Sequence, residues 1–359
     1  MHSLQAPKKK VLFLYYELAG YIVAGLKRLA AEFPVELHLV RYPVVSVAPF
    51  RIELGADIHV YERREHDDRT LKELVRQIQP DAIFVCGWAD RGYLKALKSA
   101  PEGIPRILTM DNPWRGTIKQ YLAAIAGPLI LPRMFTRCWV PGEPNAEFAR
   151  KLGFNGKRLY SGLYSADTAL YHSYRKRIRE DKRQRFPHRF VFAGRYTALK
   201  GIRELWEAFA SLSDEERKDW ELWCVGNAEP GQQFPDHPAI RNIGFVQPDQ
   251  METVLRQTGV FILPAKYEHW GVVVHEFAIA GFPLLCTGTT SAATAFLKDG
   301  ENGFLIAECT PSSIREALAR IISLTDERLN EMGDKSQVMS AKITTQSWCE
   351  TAFGIINGD

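Results

Sequence analysis

The sequence has 359 residues, which exceeds the usual length of one domain and indicates two. Apolar residues make up 46% and charged residues 25% of the chain, so the composition excludes a largely disordered protein. The formal net charge of +4 is small, and basic and acidic side chains are interleaved, so we expect no nucleic-acid partner.

The cysteines and the apolar runs predict a cytoplasmic protein. The six cysteines form no C-x-x-C pair, and several lie in apolar runs where a reduced thiol packs as a small apolar side chain. Residues 1–10 carry three lysines, but Val11–Tyr16 behind them is typical of a strand and not of a secretion signal. The longest apolar stretch, Tyr121–Pro132, is shorter than the roughly 20 residues that span a bilayer. We therefore expect no membrane-spanning helix.

Apolar strands and amphipathic helices alternate along the first half of the chain. Short apolar runs bounded by turn residues predict strands, and apolar residues at helical spacing predict helices. This alternation predicts a parallel sheet with crossover helices. The predicted strands are Val11–Tyr16, Val35–Val40, Ala82–Cys86 and Arg106–Met110, and the predicted helices are Ile22–Phe33, Leu71–Gln79 and Arg91–Ser99.

The same alternation in the second half predicts a second Rossmann-like domain. Its strands are predicted at Phe190–Ala193, Glu221–Val225, Ile240–Ile243, Val260–Leu263, Leu284–Thr287 and Phe304–Ile306. Its helices are predicted at Arg203–Leu212, Gln250–Gln257, Val274–Ala280 and Ser312–Thr325. The fold class is therefore α/β, with two domains that each contain a parallel sheet.

A basic run separates the two halves. Ser173–Arg185 contains seven Lys or Arg residues and few apolar ones, and we favour a solvated linker helix over a patch for acidic membranes or phosphate. The sequence thus predicts an N-terminal domain over 1–170, a linker over 171–188 and a C-terminal domain over 189–340. The segment 341–359 contains an apolar-periodic helix, Thr344–Ile356, which we expect to cross back to the first domain.

Missing motifs narrow the chemistry. The chain has no G-x-G-x-x-G for a nicotinamide or flavin cofactor and no G-x-x-x-x-G-K-[ST] for a P-loop. His275-Glu276 begins H-E-x-x-H, but Ile279 occupies the place of the second zinc ligand. Neither a G-x-S-x-G nucleophile motif nor a D-x-D pair for a divalent ion is present. We therefore expect no cofactor and no metal, and interpret Cys86 as a core residue without a partner base.

One constellation in the second half suits a diphosphate. A predicted strand leads into Gly194-Arg195, and Lys200-Gly201 follows just before a predicted helix. This turn places two cations near a helix N-terminus, where backbone amides and the helix dipole favour an anion. A guanidinium and an ammonium can neutralise charge on a diphosphate leaving group. A strand–turn–helix with solvated charges explains the same residues, so this motif alone leaves both interpretations open.

A second constellation follows the strand Phe261–Pro264. Glu268 lies on the loop after that strand and Glu276 on the next helix, so both carboxylates can face the crevice at the carboxyl ends of parallel strands. Gly271 permits close approach of the backbone, and the neighbouring amides can bind phosphate. Carboxylates accept hydrogen bonds from sugar and ribose hydroxyls. Glu268 alone would be interpreted as a surface acid, but two acids at this spacing favour a binding site.

Taken in order, these motifs resemble the retaining glycosyltransferases of the large GT-B family four. The resemblance implies two facing Rossmann-like domains with a cleft between them, a nucleotide diphosphate sugar in the second domain and the acceptor in the first. It also implies metal-independent transfer by front-face attack, with the anomeric configuration retained. The residues that carry it are Gly194-Arg195, Lys200-Gly201, the E-x7-E element Glu268–Glu276, Ala280-Gly281-Phe-Pro283 and Asp299-Gly-Glu-Asn-Gly303-Phe304.

The resemblance implies roles for individual residues. Arg195 and Lys200 would bind the diphosphate and stabilise it as leaving group. Glu268 would hold hydroxyls of the donor sugar, and Glu276 would accept hydrogen bonds from the ribose. Phe245 and Val246 would lie beside the nucleobase. The other implied donor contacts are Gly194, the amides of Gly271, Val272 and Val273, and Gly20, which would open the loop after the first strand.

The first half matches the family less closely. The loop after the first strand has a single glycine, and Met110-Asp111 stands where members often have a histidine before an aspartate. Aromatic and carboxylate side chains at predicted strand ends suit sugar faces and hydroxyls, although the tryptophans are equally well explained as packing residues. The candidate acceptor contacts are Tyr16, Trp88, Asp90, Asp111, Trp114 and Arg115.

Two interpretations of Lys119–Arg137 stay open. Its apolar run between basic flanks is typical of a helix at a membrane interface, which would reach a lipid-linked acceptor, or of a buried core helix. We favour the core helix. Peripheral contact with the inner face of the cytoplasmic membrane is the alternative.

Three functions remain open from the sequence. We favour transfer of a hexose from a UDP- or GDP-linked donor to a glycan or glycolipid, in bacterial surface polysaccharide biosynthesis. A catalytically idle nucleotide-sugar-binding scaffold is the second, and the presence of all four charged motif residues argues against it. A GT-B nucleotide-sugar epimerase is the third, and it would isomerise the donor instead of transferring it.

Overall fold

The structure, a computed structural model, describes residues 7–43, 49–228 and 233–358. The chain divides into two compact units. The first is built from residues 7–43, 50–165 and 345–358, and the second from residues 49, 166–228 and 233–344. Each unit contains its own parallel sheet, which confirms the predicted α/β class with two Rossmann-like domains.

The sheet of the first unit is doubly wound. Its strands are β1 (Lys9–Leu14), β2 (Val35–Arg41), β3 (Ile58–Glu62), β4 (Ala82–Cys86), β5 (Arg106–Thr109), β6 (Arg137–Trp139) and β7 (Leu159–Tyr160). Across the sheet they run in the order β3-β2-β1-β4-β5-β6-β7, and every pairing is parallel. The order reverses between β1 and β4, which makes that point the topological switch of the sheet.

Helices cover both faces of this sheet. Its helices are α1 (Gly20–Glu32), α2 (Asp68–Ile78), α3 (Arg91–Ala96), α4 (Ile118–Met134), α5 (Glu143–Lys151) and α14 (Thr345–Asn357). One core contains α1 and α14, and the opposite core contains α2, α3 and α5. Trp348 fixes α14 in place, because its ring packs over Gly25 and its indole N–H donates to the Leu163 carbonyl at 2.6 Å.

The second unit repeats the arrangement. Its strands are β8 (Arg189–Ala193), β9 (Glu221–Val225), β10 (Ile240–Gly244), β11 (Val260–Leu263), β12 (Leu284–Thr287) and β13 (Gly303–Ile306), in the order β10-β9-β8-β11-β12-β13. The switch point lies between β8 and β11. Its helices are α6 (Thr168–Gln184), α7 (Ile202–Ala210), α8 (Asp214–Arg217), α9 (Glu252–Gln257), α10 (Val272–Ile279), α11 (Ala293–Phe296), α12 (Pro311–Ile322) and α13 (Asp326–Ser340).

The basic run predicted as a linker over 171–188 lies inside the second unit. Helix α6 covers most of it and buries Tyr171, Tyr174, Ile178 and Lys182, while its arginines form ion pairs such as Arg175 with Asp334. The two units divide at 165/166 instead. The many basic residues made this buried face hard to recognise in the sequence. Most of them lie on the opposite, exposed side of the helix.

Helix α4 is not the core helix that we favoured for Lys119–Arg137. It buries only Gly127 and Leu131 among its residues, whereas six large apolar side chains are between 53% and 80% exposed. Within the described residues, no helix is long and apolar enough to span a membrane. The exposed side chains are Ile118, Tyr121, Leu122, Ile125, Leu129 and Ile130.

Candidate functional site

The turn after β8 brings a lysine to the switch point of the second sheet. A short 3-10 turn, Ala198–Lys200, precedes Gly201, which has a left-handed φ of +69°. A Cβ atom at Gly201 would lie 2.2 Å from the Pro264 carbonyl oxygen, so glycine is required both for the backbone angle and for this close approach. The turn after β8 therefore packs directly against the chain that leaves β11.

Lys200 meets Glu268 at this point. The Lys200 ammonium contacts the Glu268 carboxylate, and both side chains are mostly buried. Burial and, to a smaller extent, the nearby Arg195 guanidinium lower the pKa of Lys200 to about 8. Arg195 itself is exposed, just after Gly194 at the end of β8. The structure thus brings together the three residues that the two sequence motifs singled out.

A run of hydroxyl side chains after β12 holds the Glu268 loop. Thr287 and Thr289 both donate to the Ala265 carbonyl at 2.6 Å. The Glu268 amide donates to the Thr289 carbonyl at 3.2 Å, and Glu268 forms an isolated parallel bridge with Thr290. Our sequence analysis missed this support, although four hydroxyl residues in 287–291, at the end of a predicted strand, are a usable signal.

Gly271 starts helix α10 beside Glu268. Its φ is +92°, and a Cβ atom there would lie 2.9 Å from the Glu268 Cγ. No side chain caps α10, and its first turn has no acidic residue. The amides of Val272 and Val273 in this turn therefore carry the positive end of the helix dipole without an internal counter-charge.

Glu276 lies in the second turn of α10 and contacts α6. The Tyr171 hydroxyl hydrogen-bonds to its carboxylate, which lowers the pKa of Glu276. Burial dominates, however, and together with the nearby Asp167 it raises the pKa of Glu276 to about 7. Sequence reasoning missed Tyr171, because its place on the supposed linker gave no sign of a contact with this helix.

His275 has a structural place next to Glu276. Its ring is fully buried, its Nδ1 accepts from the Ala166 amide at 3.1 Å and its Nε2 donates to the Ser340 carbonyl at 3.0 Å. Burial lowers its pKa to about 4. Both ring nitrogens are thus used within the protein, which leaves none for a metal. The last predicted donor contacts, Phe245 and Val246, follow β10 and are half-buried.

Comparison with known proteins identifies this arrangement. The profile of the family described as glycosyl transferases group 1 matches residues 175–339, which include every donor-site residue described above except Tyr171 and Asp167. The match covers less than half of the chain and lies within the second unit, which therefore resembles that family. Its assignment to family four in particular stays a prediction.

Relatives and solved structures agree with the family. The putative teichuronic acid biosynthesis glycosyltransferase TuaC of Bacillus subtilis is 25% identical over 265 residues, or 70% of this chain and 63% of the relative. D-inositol 3-phosphate glycosyltransferase of Corynebacterium jeikeium is 25% identical over 172 residues, 44% of this chain and 41% of the relative. The alignments therefore cover less than two thirds of these relatives.

A solved structure shows the same fold over nearly the whole chain. HepE of Anabaena, crystallised with UDP-glucose, superimposes with a TM-score of 0.70 over 98% of this chain and 100% of HepE, at 13% identity. This similarity establishes the GT-B fold of this chain. The cleft between facing domains that the resemblance implies stays a prediction.

One of the predicted acceptor contacts already has partners within the protein. Asp90 caps the N-terminus of α3 and accepts from the Arg63 guanidinium at 2.9 and 3.1 Å and from the Tyr42 hydroxyl at 2.9 Å. Its carboxylate is almost fully buried. These contacts explain Asp90 as the residue that positions α3, and they leave it little capacity to bind a sugar.

The other predicted acceptor contacts form separate clusters. Trp114 packs on Tyr121, Phe148 and the Lys151 ammonium, and Trp88 packs on Phe148, so the interpretation as packing residues describes both. Elsewhere in the unit, Tyr16 stacks on Tyr42 at 5.5 Å, Asp111 accepts from the Tyr164 hydroxyl at 3.3 Å, and Arg115 is exposed. Gly20 is the first residue of α1 and not part of an open loop, contrary to our expectation.

Proposed function

We propose that this chain is a retaining glycosyltransferase that moves a hexose from a nucleotide diphosphate sugar to a glycan or glycolipid, without a metal ion. The observation that carries the proposal is the meeting of Lys200, Arg195 and Glu268 at the switch point of the second sheet. The uncapped start of α10 lies in the same place. Cations and free amides suit a diphosphate, and a carboxylate suits sugar hydroxyls.

The electrostatics of Lys200 suit a leaving group. The buried surroundings and the neighbouring guanidinium disfavour its charged form even beside the Glu268 carboxylate, so a further anion at this site would favour the ammonium. A bound diphosphate supplies this second anion and keeps the ammonium charged while the glycosidic bond of the donor breaks. Two cations and a helix N-terminus then do the work for which other transferases use a divalent ion held by a D-x-D pair, which this chain lacks.

The comparisons support the choice of donor and acceptor class. HepE was crystallised with UDP-glucose, which favours a UDP-linked donor for this chain. The name of TuaC refers to teichuronic acid biosynthesis, which favours a bacterial surface polysaccharide as the destination of the sugar. In this proposal Glu276, held by Tyr171, accepts the hydrogen bonds of the ribose.

A transfer assay tests the proposal. We would incubate the protein with UDP-, GDP-, ADP- and dTDP-hexoses and a panel of alkyl glycosides, with and without EDTA, and follow nucleotide diphosphate release and the anomeric proton signal of the product. We expect one donor to react, with the donor configuration retained. Lys200→Ala should lower kcat/KM by roughly 10²–10³-fold, because it removes one preorganised charge from the transition state. The control is Lys298→Ala, an exposed lysine paired with Glu301.

Each alternative has its own signature in this assay. Isomerised donor without a new glycoside would identify an epimerase, and donor binding without turnover would identify a scaffold. An inverted product, a strict need for a divalent ion, or a Lys200→Ala variant as fast as wild type would each overturn the corresponding part of the proposal.

We also propose that α4 docks on an anionic membrane surface, where a lipid-linked acceptor is found. Its exposed apolar residues at 118, 121, 122, 125 and 129 follow helical spacing and form one continuous stripe. Beside the stripe, Lys95, Lys98 and Arg133 line a groove of about 540 Å³ together with Leu129 and Ile130. An apolar stripe with adjacent cations matches the acyl boundary and the anionic headgroups of a bilayer.

Vesicle binding tests this second part. We expect the protein to sediment with vesicles of phosphatidylglycerol and phosphatidylcholine, and much less with phosphatidylcholine alone, because each basic residue near an anionic surface contributes about 1 kcal/mol. The double variant I125N/L129N should lose binding, whereas Val338→Asn, at an equally exposed apolar residue of α13, should not. Dimerisation that depends on Ile125 and Leu129, without vesicle binding, would show that a second copy of the chain covers the stripe instead.

A further inference from the structure

Two histidines and a glutamate meet at the edge of the first sheet. Strand β3 is the edge strand, and its pairing with β2 places His59 directly beside His38. Glu36 precedes His38 by two residues and therefore lies on the same face of β2. The Glu36 Oε1 lies 3.0 Å from the His38 Nε2 and 3.6 Å from the His59 Nε2. All three ligand atoms lie within 4.8 Å of one another.

Two of the three distances between ligand atoms fit one ion. Zinc binds imidazole nitrogens and carboxylate oxygens at about 2.0–2.2 Å, so neighbouring ligand atoms around a tetrahedral ion lie about 3.3 Å apart. The observed 3.0 and 3.6 Å fall on either side of that value. The two imidazole rings are stacked with centroids 4.7 Å apart, so His59 must turn to direct its lone pair at the ion. Its side chain is 52% exposed, which leaves room for this rotation.

A second residue already orients one ligand. The Tyr61 hydroxyl lies 3.1 Å from the His38 Nδ1, and the His38 ring is almost fully buried. In most metal sites the ring nitrogen that does not bind the ion is held by such a hydrogen bond, which fixes the orientation of the imidazole. With a metal on Nε2, the His38 Nδ1–H would donate to the Tyr61 oxygen. Three ligands with one supported histidine leave the fourth position of the ion to water.

We propose that Glu36, His38 and His59 form a binding site for a borderline divalent cation, with zinc as the best fit. The ligand set of two imidazoles and one carboxylate disfavours Mg²⁺ and Ca²⁺, which prefer oxygen ligands only. The ion joins β2 to the edge strand β3 and stabilises the first unit by binding only its folded form. None of these residues belongs to the donor or acceptor contacts above, so the site does not rest on the proposed transfer.

Metal titration of the full chain tests this site. A preparation without a polyhistidine tag is treated with EDTA, dialysed and titrated with ZnCl₂ by calorimetry, and CoCl₂ is added in parallel to follow the absorption of tetrahedral cobalt. We expect saturable binding of one zinc ion per chain, a rise in Tm with zinc, and no response to MgCl₂. Tyr61→Phe should weaken zinc binding about 10–100-fold, as expected for loss of the group that orients a ligand.

Substitution of the exposed ligand separates this site from adventitious binding. His59→Gln leaves the fold intact because its side chain is half exposed, and it should abolish both the tetrahedral cobalt spectrum and the zinc-dependent rise in Tm. The control is His237→Gln, at a half-buried histidine of the second unit. Absence of zinc binding by the wild type, or zinc binding that is unchanged in His59→Gln and Glu36→Gln, would overturn the proposal.

Discussion

At the residue scale, the proposed donor site combines a carboxyl group and an amine whose pKa values are both shifted towards neutral pH. Burial raises the pKa of Glu276 to about 7 and lowers that of Lys200 to about 8. The proposed contacts require the carboxylate form of Glu276 and the ammonium form of Lys200. Affinity for the nucleotide sugar should therefore increase as pH rises through about 7 and decrease as pH rises through about 8.

Calorimetry of nucleotide-sugar binding between pH 5.5 and 9.5 measures this profile. The diphosphate of a nucleotide sugar is esterified at both ends and does not titrate in this range, so the two limbs belong to the protein. Glu276→Gln should flatten the acid limb. Tyr171→Phe should move that limb to higher pH, because it removes the hydrogen bond that lowers the pKa of Glu276. An acid limb that is unchanged in Glu276→Gln would show that another group titrates.

At the scale of single elements, α6 contains a buried lysine that should destabilise the second unit. The Lys182 Nζ lies 3.3 Å above the Phe282 ring and has no hydrogen-bond partner among the described residues. Burial lowers its pKa well below the usual value, and nearby Arg175 adds to the effect. The unfolded chain then binds more protons than the folded one at any pH between the lowered pKa and about 10.5, so stability increases with pH in that window.

Lys182→Met should remove the free-energy cost of burying this amine. We expect the variant to be about 1–3 kcal/mol more stable than wild type at pH 7, and the difference to shrink towards pH 10. Urea unfolding at several pH values measures the gain in stability and its dependence on pH. Lys176→Met, an exposed position on the same helix, is the control and should change little. A variant less stable than wild type at pH 7 would mean that the cation–π contact outweighs the desolvation of the ammonium.

The strands of the second unit were predicted well because most of them are buried on both faces. Val260–Leu263 and Leu284–Thr287 were located with the observed bounds, since short continuous apolar runs between helices are typical of parallel strands. The edge strand β3 was missed, because its sequence mixes polar and apolar residues. Helix α4 was predicted to be buried, but it is largely exposed. Its own apolar residues are distributed around the whole helix, so their spacing does not distinguish a buried helix from an exposed one.

The motifs of the proposed donor site were visible in the sequence, but the residues that hold them in place were not. Glycines, cations and acids at fixed spacing predicted Lys200 and Glu268, and the structure brings them into contact. Tyr171 lies 105 positions before Glu276 in the chain, and such a partner depends on how α6 packs and leaves no local signal. The metal cluster depends on the register of β2 and β3, which requires that both strands be known.

At the scale of the whole molecule, one buried histidine hydrogen-bonds to the first residue of the second unit and to a residue near its last. His275 accepts from Ala166, where the second unit begins, and donates to Ser340, near its end. Its pKa of about 4 lies below the usual 6.5, so the unfolded chain binds more protons between these values. The stabilising contribution of neutral His275 is present above pH 6.5 and is lost as pH falls towards 4, by up to about 3 kcal/mol.

Unfolding in urea between pH 4 and 7.5 tests this role of His275. His275→Gln should be less stable than wild type at pH 7.5, because the amide replaces the ring imperfectly, and the difference should narrow as pH falls. His237→Gln, at a histidine elsewhere in the second unit, should show the same pH dependence of the free energy of unfolding as wild type. A difference between His275→Gln and wild type that is constant with pH would contradict the assignment of the acid sensitivity to His275.

The central claim is that the second unit binds a nucleotide diphosphate sugar at the β8–β11 switch point. It is tested most directly by calorimetric titration of wild type, Glu276→Ala and the exposed-site control Glu301→Ala with UDP-, GDP-, ADP- and dTDP-hexoses in EDTA. We predict that one donor binds wild type and the control equally, and binds Glu276→Ala about 10–100-fold more weakly, as expected for lost hydrogen bonds to a charged group. No binding of any donor, or equal binding to Glu276→Ala, would contradict it.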